Sequence, residues 1–190
     1  MRIVSVFRGR SLRSPQSIRI NGKRLSEVLN AHAEFLRGVE GGERADLPGA
    51  ALSRADLHGA NLAYAVLHGA NLEGANLSES KLASADLSKA CLGRADLRKA
   101  DLTEANLSGA DLTEAQAGGA EMFRADLRLA ILRRADFGAT NFRDAQIRGA
   151  DFRGANLKTA ILRETNLEGV DLEGLDLSTA LLPRDYKPPR

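Results

Sequence analysis

The sequence predicts an all-β solenoid, a coil of very short strands, preceded by an α-helical segment. Three observations carry that reading. From Ala45 to Arg184 the chain runs as 28 consecutive five-residue units without an insertion or deletion. The third residue of the unit is Leu in 22 of them and the first is Ala in 23. The second is mostly Asp or Asn, and the last two are polar, charged or Gly, with Gly in ten of the fifth positions.

A period of five fits neither regular element. On an α-helix five residues advance about 500°, so the Leu stripe would shift by about 140° per unit and encircle the helix. On a straight strand an odd period sends successive Leu residues to opposite faces. The chain must therefore bend once per unit. Within a unit the first and third residues share a side, so Ala and Leu point inward and the residue between them points outward. The last two residues form the corner, which explains glycines such as Gly49, Gly59, Gly69 and Gly74. A coil bent always in one sense stacks its turns about 4.8 Å apart. Its narrow bore holds one large side chain per unit only if the other inward residue is small, and alternating Ala and Leu meets that condition.

This A(D/N)LXX pattern, from Ala45 to Arg184, resembles the pentapeptide-repeat family. The resemblance implies a right-handed, four-sided β-helix with four units per coil, hence about seven coils and a rod of about 34 Å at the stacking distance above. Residue n then lies beneath residue n+20. Ala117, the one under-sized central residue, falls below Phe137 with Leu97 on its other flank, as volume compensation requires. Phe142 follows Met122, and Phe152 follows Leu132.

Solenoid ends need covering. Residues 1–42 lack the register and are read as an N-terminal cap. Within them 26–37 reads as a helix, with Leu25, Val28, Leu29, His32, Phe35 and Leu36 on one face, Ser26 as N-cap and Gly38 as the stop. Ile3, Val4 and Val6, then Ile18 and Ile20 before Asn21-Gly22, read as short strands or a hairpin. The β-helix is assigned to 43–184 and a tail to 185–190. Toward its end the inward residues enlarge, Val170 and Leu175 replacing Ala and Leu181 standing beside Leu182, and then Pro183, Pro188 and Pro189 break any continuing strand. These larger side chains either plug the bore or meet a second copy. Some family members dimerise through their last coils, so the resemblance makes a dimer through Val170, Leu175, Leu181 and Leu182 an expectation.

The residues offer little chemistry. One cysteine, Cys91, excludes an intramolecular disulfide and sits at an outward position without nucleophile-activating partners. His32 belongs to the helix stripe, while His58 and His68 fall at corners on opposite sides. The recurring Asp residues are outward groups that bond near turns. No metal, cofactor or catalysis is expected, because a convex rod filled with Leu offers no substrate-sized pocket. No apolar run approaches the roughly 20 residues needed to span a bilayer, and the apolar stretch at the start is shorter than a signal-peptide core. A cytoplasmic protein without membrane attachment is the expectation.

Charge is distributed unevenly although the chain of 190 residues carries only +2 overall. Residues 1–42 carry +5, 43–122 carry −5, 123–163 carry +5, 164–182 carry −5 and 183–190 carry +2. In the third segment Arg128 stacks under Arg148, Arg133 under Arg153 and Arg143 under Arg163, and Arg124, Arg134 and Lys158 complete a belt. Like charges one layer apart repel, so they are either held by solvation or relieved by an anionic partner. The function that fits is a non-enzymatic interaction scaffold that binds a macromolecule, a protein for preference, through this belt. Among the family's best-known members are quinolone-resistance proteins, DNA-like rods that bind DNA gyrase or topoisomerase IV. That role needs a strongly negative surface, and the belt interrupts it here. A third reading, nucleic-acid binding through the belt, lacks stacking aromatics: only Phe123 and Tyr64 occupy outward repeat positions.

Overall fold

The computed structural model describes residues 11–186. The expected strand at Ile3, Val4 and Val6 lies outside them. Strands β1 (Arg19–Ile20) and β2 (Lys23–Arg24) pair antiparallel across Asn21-Gly22, where both residues have positive φ. Helix α1 (Leu25–Leu36) follows directly. Its N-cap is Arg24 and not Ser26, because the Glu27 carboxylate accepts the Arg24 N–H at 2.9 Å and satisfies the first turn from inside the helix. At the other end Val39 N–H donates to the Glu34 carbonyl and Gly38 N–H to that of Phe35, both at 3.0 Å, with Gly38 at φ 68°. This is a Schellman stop, and its left-handed position suits glycine. Leu25 and His32 are fully buried, Val28 and Leu29 pack against the core, and Phe35 stays exposed beside His32.

From Ala45 onward the chain winds into a coil whose successive turns pair in parallel with an offset of 20 residues. The bridges Asp56–Asn76, Asn76–Asp96 and Asp96–Gln116 are three consecutive examples on one face. Four faces result, opened by Ala45, Ala50, Ala55 and Ala60 and here numbered 1 to 4. Each pairing uses the same two bonds: Leu57 N–H donates to the Asn76 carbonyl and Asn76 N–H to the Ala55 carbonyl, at 2.8 and 2.9 Å. Leu57, Leu77 and Leu97 share a face and are buried, as are nearly all the first-position alanines.

The corner has one construction. The first residue of the next unit donates its N–H back to the third residue's carbonyl, as Ala55 does to Leu52 at 3.0 Å. From Gly49 to Gly174 the fifth residue of every unit has φ between 54° and 73°. Glycine adopts that conformation freely, whereas other residues are strained there by about 1–2 kcal/mol. The second-position Asp or Asn completes the turn by accepting the fourth-position N–H, as in Asp111 to Thr113 at 2.8 Å and Asp86 to Ser88 at 3.0 Å.

In the bore, Phe137, Phe142 and Phe152 meet edge to face with centroids 5.2–6.3 Å apart. Ala117 lies one turn before Phe137 on the same face, joined through the Ala117 N–H to Asp136 carbonyl bond at 2.7 Å, so the missing volume adjoins a ring. Thr140 is buried with its hydroxyl donating to the Ala117 carbonyl at 2.7 Å.

Helix α1 meets the first coil through two bonds. Glu43 N–H donates to the Ala31 carbonyl at 3.2 Å, and Ala45 N–H donates to His32 Nδ1 at 3.1 Å. Accepting there requires the neutral imidazole, and burial pushes His32 below its ordinary range, with Arg44 adding to the effect and the Ala63 carbonyl opposing part of it. Gly42 lies against the last turn of α1: a Cβ there would sit 2.3 Å from the Phe35 nitrogen.

Two tests follow from this junction. Gly42→Ala is expected to lower unfolding free energy by about 1–3 kcal/mol in urea titrations, because the clash is with backbone. His32 binds its proton more weakly folded than unfolded, so stability should fall as pH drops below the unfolded value near 6.5. His32→Asn, which keeps an acceptor without a titrating ring, should flatten that part of the stability-against-pH curve.

Candidate interaction surface

All nine belt cations project outward, but like charges do not face each other bare. Asp151 on face 2 binds both Arg133 and Arg153, each at 2.6 Å, so the expected repelling pair is bridged by a shared carboxylate. Arg153 first, then Arg133, hold the Asp151 carboxyl far below the usual carboxylate range. Arg128 binds Asp126 within its own unit at 2.6 Å, and Arg143 reaches Glu164 at 2.9 Å. Corner columns alternate in sign at the 20-residue step: Arg94, Glu114 and Arg134 form one run, and Glu104, Arg124 and Asp144 another. Lys158 lies 3.8 Å from Asp176. Among the described residues, Arg148 and Arg163 alone of the nine have no carboxylate within ion-pair distance. Arg124 also stacks on the Phe123 ring at 4.7 Å. These pairs are solvent-exposed and contribute little to stability, but they fix the direction of each guanidinium.

The sequence pattern contained this alternation, since the partners stand 20 residues apart. A count of Arg over Arg looked only at fourth positions, and it also passed over Asp151 and Glu164, which reach Arg133 and Arg143 from neighbouring columns.

The last turn departs from the others. Pairing ends at Asp126–Gln146 on face 1, Ile131–Asp151 on face 2 and Asp136–Asn156 on face 3, and continues only on face 4 through Ile161–Leu181. The residues expected to plug the bore stay partly open: Val170, Leu175 and Leu182 are half-buried and Leu181 is exposed. Thr165, Val170 and Leu175 stand where Ala stands in nearly every earlier unit, so the pairing lapses where the inward residues become larger. A cleft of about 720 Å³ opens on face 1, with Ile147 and Arg148 on one lip and Asn166 and Glu168 on the other.

His58 Nδ1 lies 2.9 Å from Ser78 Oγ and His68 Nδ1 lies 2.8 Å from Ser88 Oγ, so each is tied to the next turn. Cys91 is exposed. Among the described residues no group of His, Cys, Asp and Glu is arranged to hold a metal, and no helix is long and apolar enough to cross a membrane.

A five-residue unit with a 20-residue coil step is the signature of one family, and the family model for pentapeptide repeats matches segments between residues 43 and 158. The chain belongs to the pentapeptide-repeat family. Membership makes the coil a right-handed quadrilateral β-helix. Among solved structures the chain is similar to the pentapeptide-repeat protein Rfr23 of the cyanobacterium Cyanothece 51142, with 30% identity, TM-score 0.45, and 45% of this chain and 58% of that one covered. It is also similar to HetL of Nostoc sp. strain PCC 7120, a protein involved in heterocyst differentiation regulation, with 33% identity, TM-score 0.29, and 62% of this chain and 66% of that one covered. A third likeness is to QnrB1, a plasmid-mediated fluoroquinolone resistance protein, with 19% identity, TM-score 0.41, and 75% and 91% covered. The chain thus spans a little under two thirds of the first two. Comparison with curated protein sequences gives no match.

The loosened end of this pentapeptide-repeat chain gives a direct test. Val170→Ala with Leu175→Ala should let the last turn seat, and the amides of Ile147, Phe152 and Leu157 should then exchange more slowly with solvent in hydrogen-exchange mass spectrometry.

Proposed function

We propose that this chain is a non-catalytic scaffold that binds another protein across the arginine-rich coils between residues 123 and 163. In this reading α1 is the cap of a rod of about seven coils. The observation that carries it is the division of labour within the unit. First and third residues fill the bore completely over most of the rod, so specificity has only the outward second, fourth and fifth positions in which to reside. Within those positions the belt presents guanidiniums directed by carboxylates, together with the unpaired Arg148 and Arg163. Fixed directions lower the ordering cost of docking onto an anionic surface.

A DNA-like role at a topoisomerase has less support. It requires an unbroken acidic exterior, and the belt carries +5 across residues 123–163. Nucleic-acid binding through the belt is disfavoured because most of its arginines already hold carboxylates.

Affinity capture from lysate with wild-type protein and with Arg148→Glu/Arg163→Glu tests the reading. Partners retained by the wild type should be lost by the variant, while both unfold at the same temperature. Gyrase supercoiling with micromolar protein added is expected to proceed unchanged. Inhibition there would replace the scaffold reading with the topoisomerase one.

A further inference from the structure

At the corners a side chain at a fifth position lies over the fifth position one turn later. Where that later residue is glycine, a Cβ built on it would meet the earlier side chain: Arg54 over Gly74 at 3.5 Å, Lys89 over Gly109 at 3.7 Å, Lys99 over Gly119 at 3.8 Å and Arg134 over Gly154 at 3.3 Å. In these four the aliphatic stem covers bare glycine backbone while the charged head stays in water. Leu129 over Gly149 is the fifth case, with its Cδ2 only 2.9 Å from the built Cβ. Leucine has no head to hydrate. It is 73% exposed and holds φ at 60°. The residue is therefore strained, and although one methyl lies against Gly149 most of its apolar side chain is left in solvent.

Its surroundings specify what would cover it. Gly109 and Gly149 flank it in the corner column without side chains of their own, and a mostly apolar concavity of about 500 Å³ forms around the Leu129 side chain. Lys89, Arg128 and Arg148 rim it. Arg128 is held by Asp126, whereas among the described residues Lys89 and Arg148 have no carboxylate within ion-pair distance.

We propose that Leu129 is the apolar centre of a docking site for an acidic segment of a partner protein, one that places an aliphatic side chain against Leu129 and carboxylates on Arg148 and Lys89. The site rests on the reading of the rod as a protein-binding scaffold and names the partner chemistry at one corner of it. An apolar knob inside a cationic rim matches a segment that mixes Asp or Glu with Leu, Ile or Val. A nucleic-acid backbone would use the rim alone and leave the knob uncovered.

Selection of random displayed peptides on the full chain, with binding then measured on variants, tests this. Enriched peptides should combine acidic and aliphatic residues and should lose about tenfold or more in affinity on Leu129→Gly and on Arg148→Glu, the loss typical of removing one central contact. Leu129→Gly relieves the strained φ, so its unfolding temperature should equal or exceed that of wild type. A fall of several degrees would assign Leu129 to stability and overturn the site. Enriched peptides that bind Leu129→Gly unchanged but are lost on Arg133→Glu/Arg153→Glu would also overturn it, while leaving the scaffold reading in place. No enrichment, or a wild-type dimer that Leu129→Gly converts to monomer, would overturn it as well, the dimer showing that a second copy occupies the knob.

Discussion

The whole molecule depends on one backbone requirement: the chain must turn a corner every five residues and still return each central side chain to the axis. The turn that does this places its third residue in the left-handed region, and it does so at Ser84, Lys89, Arg94, Lys99 and Glu104 in succession, where glycine is absent. Residues with a Cβ resist that conformation by about 1–2 kcal/mol each. They accept it because each corner also closes a turn bond, places two ladder bonds and buries a Leu, a contribution of about 1.5–3 kcal/mol for the side chain alone. Ladder and core thus hold the corners, and no single turn is stable by itself. This is the cooperative logic of a solenoid.

The same register sets the electrostatics of the exterior. Every outward residue lies one strand spacing from the residues 20 before and after it, so a column of identical charges would repel along the rod. Face 3 avoids this by alternating carboxylate and amide: Asp56, Asn76, Asp96, Gln116, Asp136, Asn156 and Asp176. The amides donate to their acidic neighbours, Asn76 to Asp56 at 3.0 Å and Asn156 to Asp136 at 2.7 Å. The corner runs alternate Arg with Glu or Asp to the same effect. Alternation of this kind keeps like charges from facing each other one turn apart at these positions, while the coils as blocks still differ in net charge. Arg148 departs from the alternation and Leu129 from the snorkelling rule, and the proposed docking site is built on those two departures.

Much of this was legible in the sequence, for a physical reason. The inward positions are under one geometric demand, so Ala and Leu at first and third positions could be read directly, as could the outward Asp and the Phe137–Ala117 compensation. The stop at Gly38 was legible because a left-handed C-terminal residue has one favoured chemistry. Corner interactions were less so. That glycine serves as a bed for the preceding turn's side chain, besides relaxing φ, appears only when residues 20 apart are set side by side. The sharing of Asp151 by Arg133 and Arg153 was hidden because guanidiniums reach diagonally. Gly42 gave no sign either, since its need for a missing Cβ comes from a helix backbone that is close in space and irregular in sequence.

The two ends of the rod solve the exposed-edge problem by different means, and the difference follows from the inward residues. At the start the first coil keeps Ala at its first positions, so it is narrow and its edge must be met from outside. Arg13 pairs there with Ala55, and its guanidinium donates to the Ala51 and Ser53 carbonyls at 3.3 Å, while His32 and Ala31 take the N–H groups of Ala45 and Glu43. At the other end the pairing itself lapses: among the described residues three faces make no bridge beyond residue 156, and Val170 and Leu175 stand there in place of Ala. A coil that has dropped its pairing is a poor template for another copy of the regular ladder, because its donors and acceptors are no longer held at the strand spacing. Covering and loss of pairing therefore both oppose growth of the ladder, but only the second leaves inward leucines partly wet. That is why the first coil is the tight end of this molecule and the last is the loose one.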